Sequence, residues 1–416
     1  MSMQPVLRFK THEDGLKAWD KTHLSQIATV SMGQSPSSDA YNEDYEGLPL
    51  IQGNADIVDG FTKPSRYTTE VTKRCQESDV ILSVRAPVGE LGIASEESCI
   101  GRGVCAIRAN DKSNTAFIYQ LLQAKKKHWK KLEQGSTFTA VSGEDVKAFE
   151  VVVPTKEEQQ KIAAFFTALD EKIQNTCKKL VLTLKMKRAL VRDILTREVG
   201  FSSSSDWKDV TFGDVSSIVK TRKSSEFLLY VGTEDLIKDF GGLNKVKKED
   251  VSGIYFEKDD ILISNIRPYL KKLWMSDEEG IASTDVIVYR SNNIEPSLLK
   301  QILSTDSFFE HVAQGYKGSK MPRGDKSQMA TFAFQIPSDE KEQKQIANLL
   351  NLIDKKITCL REQEKALKKQ KQAFMQQMWE CQDFCVWGGY SRGSPTRLPF
   401  VFEMQYARPG ALAREV

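Results

Sequence analysis

The sequence predicts an α/β protein: two strand-rich α/β domains separated by two long antiparallel helices, which form a coiled-coil rod with a pseudo-twofold internal repeat. A helical segment occurs twice, as TKEEQQKIAAFFTALDEKIQ from Thr155 and as SDEKEQKQIANLLNLIDKKIT from Ser338. Each copy follows a region of short apolar runs separated by Gly, Pro, Asn and Ser, which is typical of strands and turns. Such a long repeat indicates two copies of one large unit and hence pseudo-twofold symmetry.

The repeat is close in the helical segments and weaker upstream of them. Aligning Gln159 with Gln343 gives an offset of 184 residues (343 − 159). The upstream segment QGNADI aligns with VGTEDL, and Asp79–Pro87 resembles Asp259–Pro268. A shared framework with divergent surroundings is therefore expected in the two α/β domains.

The elements of the α/β domains are predicted from short apolar runs and their flanking turns. In the first domain we expect strands at Leu48–Gln52, Asp79–Val84, Val104–Arg108 and Phe149–Val153, and a helix at Ala116–Leu132. In the second we expect strands at Leu228–Val231, Asp260–Ser264 and Val286–Arg290, and a helix at Pro296–Gln314.

The repeated segments predict two helices of about 40 residues, each about 60 Å long. Thr155 and Glu158 form a capping-box pattern at the start of the first. Apolar or small residues then recur at alternating steps of about four and three, which indicates a coiled-coil seam. The expected seam positions are Ile162, Phe166, Leu169, Ile173, Cys177, Leu180, Leu184, Val191 and Ile194, then Ile346, Leu350, Ile353, Ile357, Leu360, Leu367, Phe374 and Met378. The alternative is two amphipathic helices buried separately in ordinary domains.

These patterns divide the chain into five segments. The expected boundaries are a first α/β domain at 1–154, a central long helix at 155–199, a second α/β domain at 200–336, a C-terminal long helix at 337–380, and a disordered, cloning or frameshift tail at 381–416.

Composition excludes several classes of protein. The net charge of +3 is too small for a uniformly basic protein, and no run of about 18 apolar residues or signal-peptide core is present. Seven cysteines without paired spacing fit a reduced cytoplasm. The four histidines form no HExxH motif, and the sequence lacks a phosphate loop, GxGxxG and any Pro-Pro pair. We therefore expect a binding protein with no catalytic residue, metal site or cofactor of its own.

The two helical segments, each behind a divergent domain, resemble the specificity (S) subunit of type I restriction–modification enzymes over roughly residues 15–380. The resemblance implies a non-catalytic DNA-binding chain whose two target-recognition domains each read half of a bipartite, asymmetric site, with the rod setting the spacer. It also implies two methyltransferase (M) subunits that carry S-adenosylmethionine, and two restriction (R) subunits that use ATP and Mg²⁺. The partners would be double-stranded DNA and these subunits, with no membrane.

Candidate DNA-contacting residues are polar side chains on loops between the predicted strands. Gln and Asn suit adenine and Arg suits guanine, although each could instead cap a turn or pair with an acid. The base-contact candidates are Gln52, Asn54, Arg85, Gln134, Ser136, Thr137, Thr233, Asn265, Arg267, Lys317, Lys320 and Arg323.

Two further sets lie on the long helices. A cationic run could face the DNA backbone or form a solvated helix surface, and its members are Lys178, Lys179, Lys185, Lys187, Arg188 and Arg192. The repeated helix starts are expected to dock two equal methyltransferase subunits through Glu158, Gln159, Ile162, Asp170, Glu342, Gln343, Ile346 and Asp354. Two rival hypotheses remain: a coiled-coil scaffold with two protein-binding heads, and an enzyme with an unrecognised active site.

Overall fold

A computed structural model of the chain describes residue 5 and residues 7–9, 18–129, 140–198, 206–244, 247–316, 321–379 and 400–402. The chain divides into two compact units, unit 1 (residues 1–175 and 364–416) and unit 2 (residues 176–363). The predicted tail at 381–416 lies outside the described residues except for Phe400–Phe402, a strand that pairs in parallel with Leu7–Phe9.

Unit 1 is built on two main sheets. The six-stranded sheet has the order Ala28–Met32, Val104–Ala109, Val80–Ser83, Leu91–Ile93, Phe61–Thr62 and Ile57–Val58. The five-stranded sheet has the order Tyr41–Asn42, Tyr67–Thr68, Leu48–Ile51, Ser98–Ile100 and Arg74–Cys75. A further pair joins Asp20–His23 to Glu150–Val153. The shorter helices are Leu24–Ile27, Thr115–Ala124 and Gly143–Lys147, with 3₁₀ turns at Ser38–Ala40 and Asn54–Asp56.

Unit 2 repeats this plan with fewer strands. A four-stranded sheet has the order Ser216–Ile218, Val286–Ser291, Ile261–Ser264 and Leu273–Met275. A closed three-stranded sheet contains Arg222–Val231, Lys247–Phe256 and Gly280–Ala282. Two pairs join Trp207–Thr211 to Ala333–Pro337 and Leu236–Ile237 to Gly242–Leu243. The shorter helices are Phe212–Val215, Pro296–Leu303, Asp306–Ala313 and Lys326–Ala330, with a 3₁₀ turn at Pro268–Leu270.

The predicted strands are confirmed to within one or two residues at most ends, but the predicted helix Pro296–Gln314 was wrong in one respect. It is two helices, because the side chain of Thr305 accepts a hydrogen bond from the backbone N–H of Phe308 and caps a new helix. The predicted helix Ala116–Leu132 begins at Thr115, and its first straight segment ends at Ala124.

The two long helices span Lys156–Leu195 and Glu340–Trp379. Most of the predicted seam is buried, including Ile162, Phe166 and Ile346. The predicted capping box is only half formed: the Glu158 N–H lies 3.4 Å from the Thr155 hydroxyl, while the Glu158 carboxylate bonds elsewhere. No described helix combines the length and the apolar character that crossing a membrane would need.

In unit 1 the start of the first long helix packs antiparallel to the end of the second. The ring of Phe166 lies 5.3 Å from that of Trp379, and Lys371 Nζ lies 2.7 Å from both carboxylate oxygens of Asp170. Trp379 and Phe166 belong to the same buried cluster as Phe117 of the α/β domain. The α/β domain therefore shares its hydrophobic core with both helices.

Unit 2 contains the equivalent contact between the two long helices, related to that of unit 1 by the internal repeat. Lys187 near the end of the first long helix binds Asp354 near the start of the second, with 2.5 Å between Nζ and Oδ1. Adding the repeat offset of 184 to Lys187 gives 371, and adding it to Asp170 gives 354, so the two ion pairs are copies of each other. Each aspartate also accepts a hydrogen bond from a glutamine of its own α/β domain, Gln120 or Gln301.

A second ion pair, between an aspartate and an arginine, is repeated inside the α/β domains. The buried carboxylate of Asp79 accepts two hydrogen bonds of 2.7 Å from Arg108, and that of Asp260 accepts two of 2.8 Å from Arg290. Each carboxylate also accepts the backbone N–H three residues before it. This pair fixes the turn that leads into a central strand of each unit, and so positions the loop at the far end of that strand.

Candidate nucleic-acid interface

Four loop segments of unit 1 are held together by backbone hydrogen bonds at the ends of its central strands. The N–H of Gly101 donates to the carbonyl of Ile51 at 2.8 Å, and that of Val84 donates to Gly103 at 2.9 Å. The N–H of Val141 then donates to Val84 at 2.8 Å. We call residues 52–54, 84–85, 101–103 and 140–141 the unit 1 loop cluster.

Unit 2 contains the same network of backbone hydrogen bonds. The N–H of Ser283 donates to Val231 at 3.0 Å, that of Asn265 to Asp285 at 2.9 Å, and that of Gly324 to Asn265 at 3.2 Å. We call residues 232–233, 265–267, 283–285 and 322–324 the unit 2 loop cluster. Two unlike stretches of sequence thus build one loop geometry.

The side chains carried by this shared hydrogen-bond network differ between the two units. An isolated bridge pairs Arg85 with Ala140 in unit 1 and Ile266 with Arg323 in unit 2, so the arginine changes sides of the bridge. In unit 2 the Arg323 guanidinium donates to Asp285 at 3.0 Å, where unit 1 has a glycine. The backbone is therefore repeated while the exposed chemistry is not.

A tight turn presents the first candidates of each unit. Asp56 accepts the backbone N–H groups of Gln52 at 2.7 Å and Gly53 at 3.1 Å, which leaves Asn54 exposed at the tip. Asp235 accepts the N–H of Gly232 at 2.8 Å and places Thr233 at the corresponding site. The predicted alignment of Gly53 with Gly232 and Asp56 with Asp235 is confirmed by these bonds.

The remaining base-contact candidates divide into two groups. Arg85, Asn265, Arg267 and Arg323 all lie in the loop clusters, and the N–H of Arg267 donates to Pro322 at 2.8 Å. The others lie outside the described residues: Gln134, Ser136, Thr137, Lys317 and Lys320.

Sequence reasoning missed one residue of the unit 1 cluster. Arg102 lies on the turn between Gly101 and Gly103, is exposed, and has no acidic partner among the residues that the structure describes. A Gly-Arg-Gly tripeptide directly before a strand is the signal that could have identified it, because glycines allow close backbone approach around one presented side chain.

The cations of the first long helix do not share one environment. Lys178, Lys179, Lys185 and Arg188 are exposed, while Arg192 donates to its neighbour Asp193. Lys187 is the exception, because its ion pair with Asp354 leaves its side chain only 16% exposed. It is therefore placed inside the helix pair and not on the open surface that the sequence predicted.

The predicted docking residues are internal in the isolated chain. Glu158, Gln159 and Ile162 are buried in unit 1, and Glu342, Gln343 and Ile346 are buried in unit 2. Gln159 binds the Ser113 hydroxyl and the Pro154 carbonyl, while Gln343 binds the Glu295 N–H and the Pro337 carbonyl. Asp170 and Asp354 bind lysines of the long helices, and docking through these eight residues stays a prediction.

Alanine at Gly103 should distort the unit 1 loop cluster. A Cβ there would lie 2.1 Å from the backbone carbonyl oxygen of Gln52, so the loop backbone would have to shift. We expect urea unfolding to show a loss of about 1–3 kcal/mol. The matched control is Gly53→Ala, whose Cβ would meet nothing within 4 Å and which should stay within about 0.5 kcal/mol of the wild type. Equal stability of the two variants would contradict this packing.

Comparisons with known proteins agree with this architecture. The family described as "Type I restriction modification DNA specificity domain" matches residues 17–183 and 204–369. The chain therefore belongs to this family, whose domain it contains twice.

Individual relatives carry related names. The MjaX specificity subunit of a type I restriction enzyme from Methanocaldococcus jannaschii is 34% identical over 184 residues, covering 44% of this chain and 43% of that protein. The MjaIX specificity subunit from the same organism is 24% identical over 278 residues, covering 64% and 61%. The chain thus spans less than two thirds of the length of these two relatives.

One solved structure shares the fold along most of the chain. The type I restriction–modification S subunit from M. genitalium superimposes with a TM-score of 0.64 at 16% identity, covering 91% of this chain and 99% of that one.

Proposed function

We propose that this chain is the DNA-sequence-specificity subunit of a type I restriction–modification enzyme, and that each loop cluster reads one half of a bipartite, asymmetric DNA site. One observation supports this proposal above the others: the two units repeat one network of backbone hydrogen bonds but present different side chains on it. Exposed chemistry that varies on a constant frame is what two different half-sites require.

Reading would take place in the major groove, where all four base pairs present different patterns of donors and acceptors. In unit 1 the guanidinium groups of Arg85 and Arg102 suit guanine, and the amides of Gln52 and Asn54 suit adenine. Each good bidentate contact is worth about 1–3 kcal/mol of discrimination against the wrong base.

Unit 2 offers a different set. Thr233, Asn265 and Arg267 are the candidate readers, and Asp285, which binds Arg323, would compete with DNA for that guanidinium. Opening that ion pair would free a donor for guanine and an acceptor for the amino group of cytosine. Unit 2 should therefore recognise a half-site unlike that of unit 1.

Sequence-independent affinity would come from the exposed cations of the first long helix, Lys178, Lys179, Lys185 and Arg188. Each cation that neutralises a DNA phosphate releases counterions, so binding should weaken steeply as salt rises. A helix pair of fixed length would hold the two readers at half-sites about one helical turn apart, roughly 34–36 Å. The rod would then set the spacer.

The chemistry of the complex would belong to partner subunits in the cytoplasm. Two methyltransferase subunits carrying S-adenosylmethionine would methylate adenine N6, and two restriction subunits would use ATP and Mg²⁺ to translocate and cleave DNA. The internal repeat supports a pair of equal partners, because two identical subunits need two equivalent positions. This chain would supply specificity and no catalytic group.

The test is a domain exchange with the methyltransferase subunit present. Replacing residues 206–336 with the corresponding domain of another family member should change one half of the methylated sequence and leave the other half and the spacer intact. Single-molecule sequencing of N6-methyladenine in cells would measure this, with the native chain as control. Methylation that follows neither domain would refute the proposal, and sequence-independent DNA binding would favour a scaffold with protein-binding heads.

A further inference from the structure

Two polar contacts at the start of each long helix are repeated between the units, whereas the contacts of a neighbouring glutamate are not. The glutamine contacts recur, since Gln159 and Gln343 each donate to the carbonyl of a proline at the end of the preceding strand or directly after it. The aspartate–lysine pairs recur as well. The glutamate directly precedes the glutamine in each unit.

In unit 1 this glutamate binds an arginine from the extended segment Leu7–Phe9. Arg8 donates from Nε to Glu158 at 3.1 Å and from Nη2 at 2.7 Å, and the backbone N–H of Phe9 adds a third bond at 3.3 Å. Both charged side chains are 1% exposed. Leu7 and Phe9 are buried on either side, and the ring of Phe9 lies 5.6 Å from that of Phe165.

In unit 2 the corresponding Glu342 is equally buried, at 2% exposure, but neither carboxylate oxygen has a hydrogen-bond partner among the described residues. A buried carboxylate without a counter-charge is costly, because it has lost its hydration and gained nothing in exchange. The helix position that contacts Phe9 in unit 1 is kept as an apolar residue, Leu349, which is only partly buried. Unit 2 thus keeps the buried glutamate, but none of its described residues supplies the bonds that Arg8 and Phe9 supply in unit 1.

The arginine of unit 2 that lies beside a tryptophan, as Arg8 does in unit 1, does not complete the site. The Arg197 guanidinium lies 5.8 Å from the ring centre of Trp207, much as that of Arg8 lies 5.9 Å from Trp19. Arg197 lies in the turn directly after the first long helix, where its N–H donates to Ile194, and it makes no bond to Glu342. A residue fixed at a helix end also cannot supply the flanking backbone N–H that Phe9 supplies in unit 1.

We propose that Glu342 is the binding site for an arginine on an extended segment of a partner protein, with a large apolar residue on each side of that arginine. The segment would repeat in unit 2 what Leu7–Phe9 do in unit 1. Its arginine would neutralise the buried carboxylate, and its apolar neighbours would cover Leu349. Because Glu342 is buried, the incoming segment must displace the side chains packed around it.

A peptide copy of the unit 1 segment tests this on the full chain. The probe is the acetylated and amidated hexapeptide PVLRFK, and its matched control carries citrulline, which is neutral and nearly isosteric, in place of arginine. By calorimetry we expect one saturable site per chain, with the citrulline peptide binding at least tenfold more weakly. Absence of binding, or equal binding of the two peptides, would overturn the proposal.

Two variants locate the site. Glu342→Gln should weaken the arginine peptide at least tenfold, whereas Glu340→Gln, on the same helical turn but 83% exposed, should leave binding unchanged. Unaltered binding to Glu342→Gln would mean that the peptide only displaces the native segment from Glu158. Stability gives a second readout: Glu342→Gln should unfold at the same or higher urea concentration as the wild type. If it unfolds earlier and Arg197→Ala does the same, Arg197 is the partner of Glu342 and the proposal fails.

Discussion

Replacing Arg8 with alanine should lower the free energy of unfolding of unit 1 by about 3–5 kcal/mol, the range found when one member of a buried ion pair is removed. The reason is the charge left behind. Glu158 is 1% exposed and loses the hydrogen bonds of 3.1 and 2.7 Å that Arg8 donates to its carboxylate. Urea unfolding and amide hydrogen exchange around Glu158 would measure the loss.

The control for Arg8→Ala is Arg74→Ala in the same unit. Arg74 binds Glu97 at 3.0 Å, but both side chains are about half exposed, so the change should cost less than about 1 kcal/mol. Replacing both Arg8 and Glu158 with methionine should recover most of the lost stability, since no buried charge then remains. A double variant no more stable than Arg8→Ala would assign the effect to packing and not to charge.

Asp354→Asn should lower stability by about 2 kcal/mol at neutral pH and by less in acid. Burial raises the pKa of this carboxyl, but the charges of Lys300 and Lys187 outweigh it and lower the pKa from 3.8 to about 2. That difference corresponds to about 2 kcal/mol. The Asp354 side chain is 27% exposed, so solvent screening reduces this figure only modestly.

The sign of the pH dependence follows from the lowered pKa. A carboxyl that binds protons less readily in the folded chain stabilises it fully above the unfolded pKa, and this stability is lost as pH falls toward the folded pKa. The difference between wild type and Asp354→Asn should therefore shrink by roughly half from pH 7 to pH 3. Burial also lowers the pKa of Lys187 below its ordinary value.

Glu340→Gln is the matched control for this measurement, because Glu340 lies on the same helix and pairs with Lys344 at the surface. Its unfolding free energy should stay within about 0.5 kcal/mol of the wild type at either pH. A constant gap between wild type and Asp354→Asn across the acid range would show that the lysines do not lower the pKa of Asp354.

The fold was predictable where the signal is local. The apolar stripe predicted the long helices and most of their buried seam, because helical periodicity is written in neighbouring residues. Lys187 shows a signal that was present but misread. It lies three residues after Leu184 and four before Val191, so it occupies a seam position, and its ion pair with Asp354 is what that register implies.

The site was less predictable, because its contacts join distant parts of the chain. Glu158 was expected to cap its own helix and to dock a partner, but it binds Arg8, which lies 150 residues earlier. No local sequence pattern near either residue predicts this pair. The loop clusters were predicted only as polar residues after strands. The network of backbone hydrogen bonds that aligns Arg85 with Ala140 could be seen only in the folded chain.

The two units differ in whether their residues are continuous in the sequence, and this affects the order in which they can fold during synthesis. Unit 2 is one continuous stretch, residues 176–363, whereas unit 1 combines residues 1–175 with residues from 364 onward. On the ribosome, the first α/β domain emerges early but waits for the Phe374 and Trp379 side chains that pack against its first long helix. The unit encoded second can thus be completed first, and a chain that terminates before residue 364 would leave the earlier-made unit with part of its core exposed.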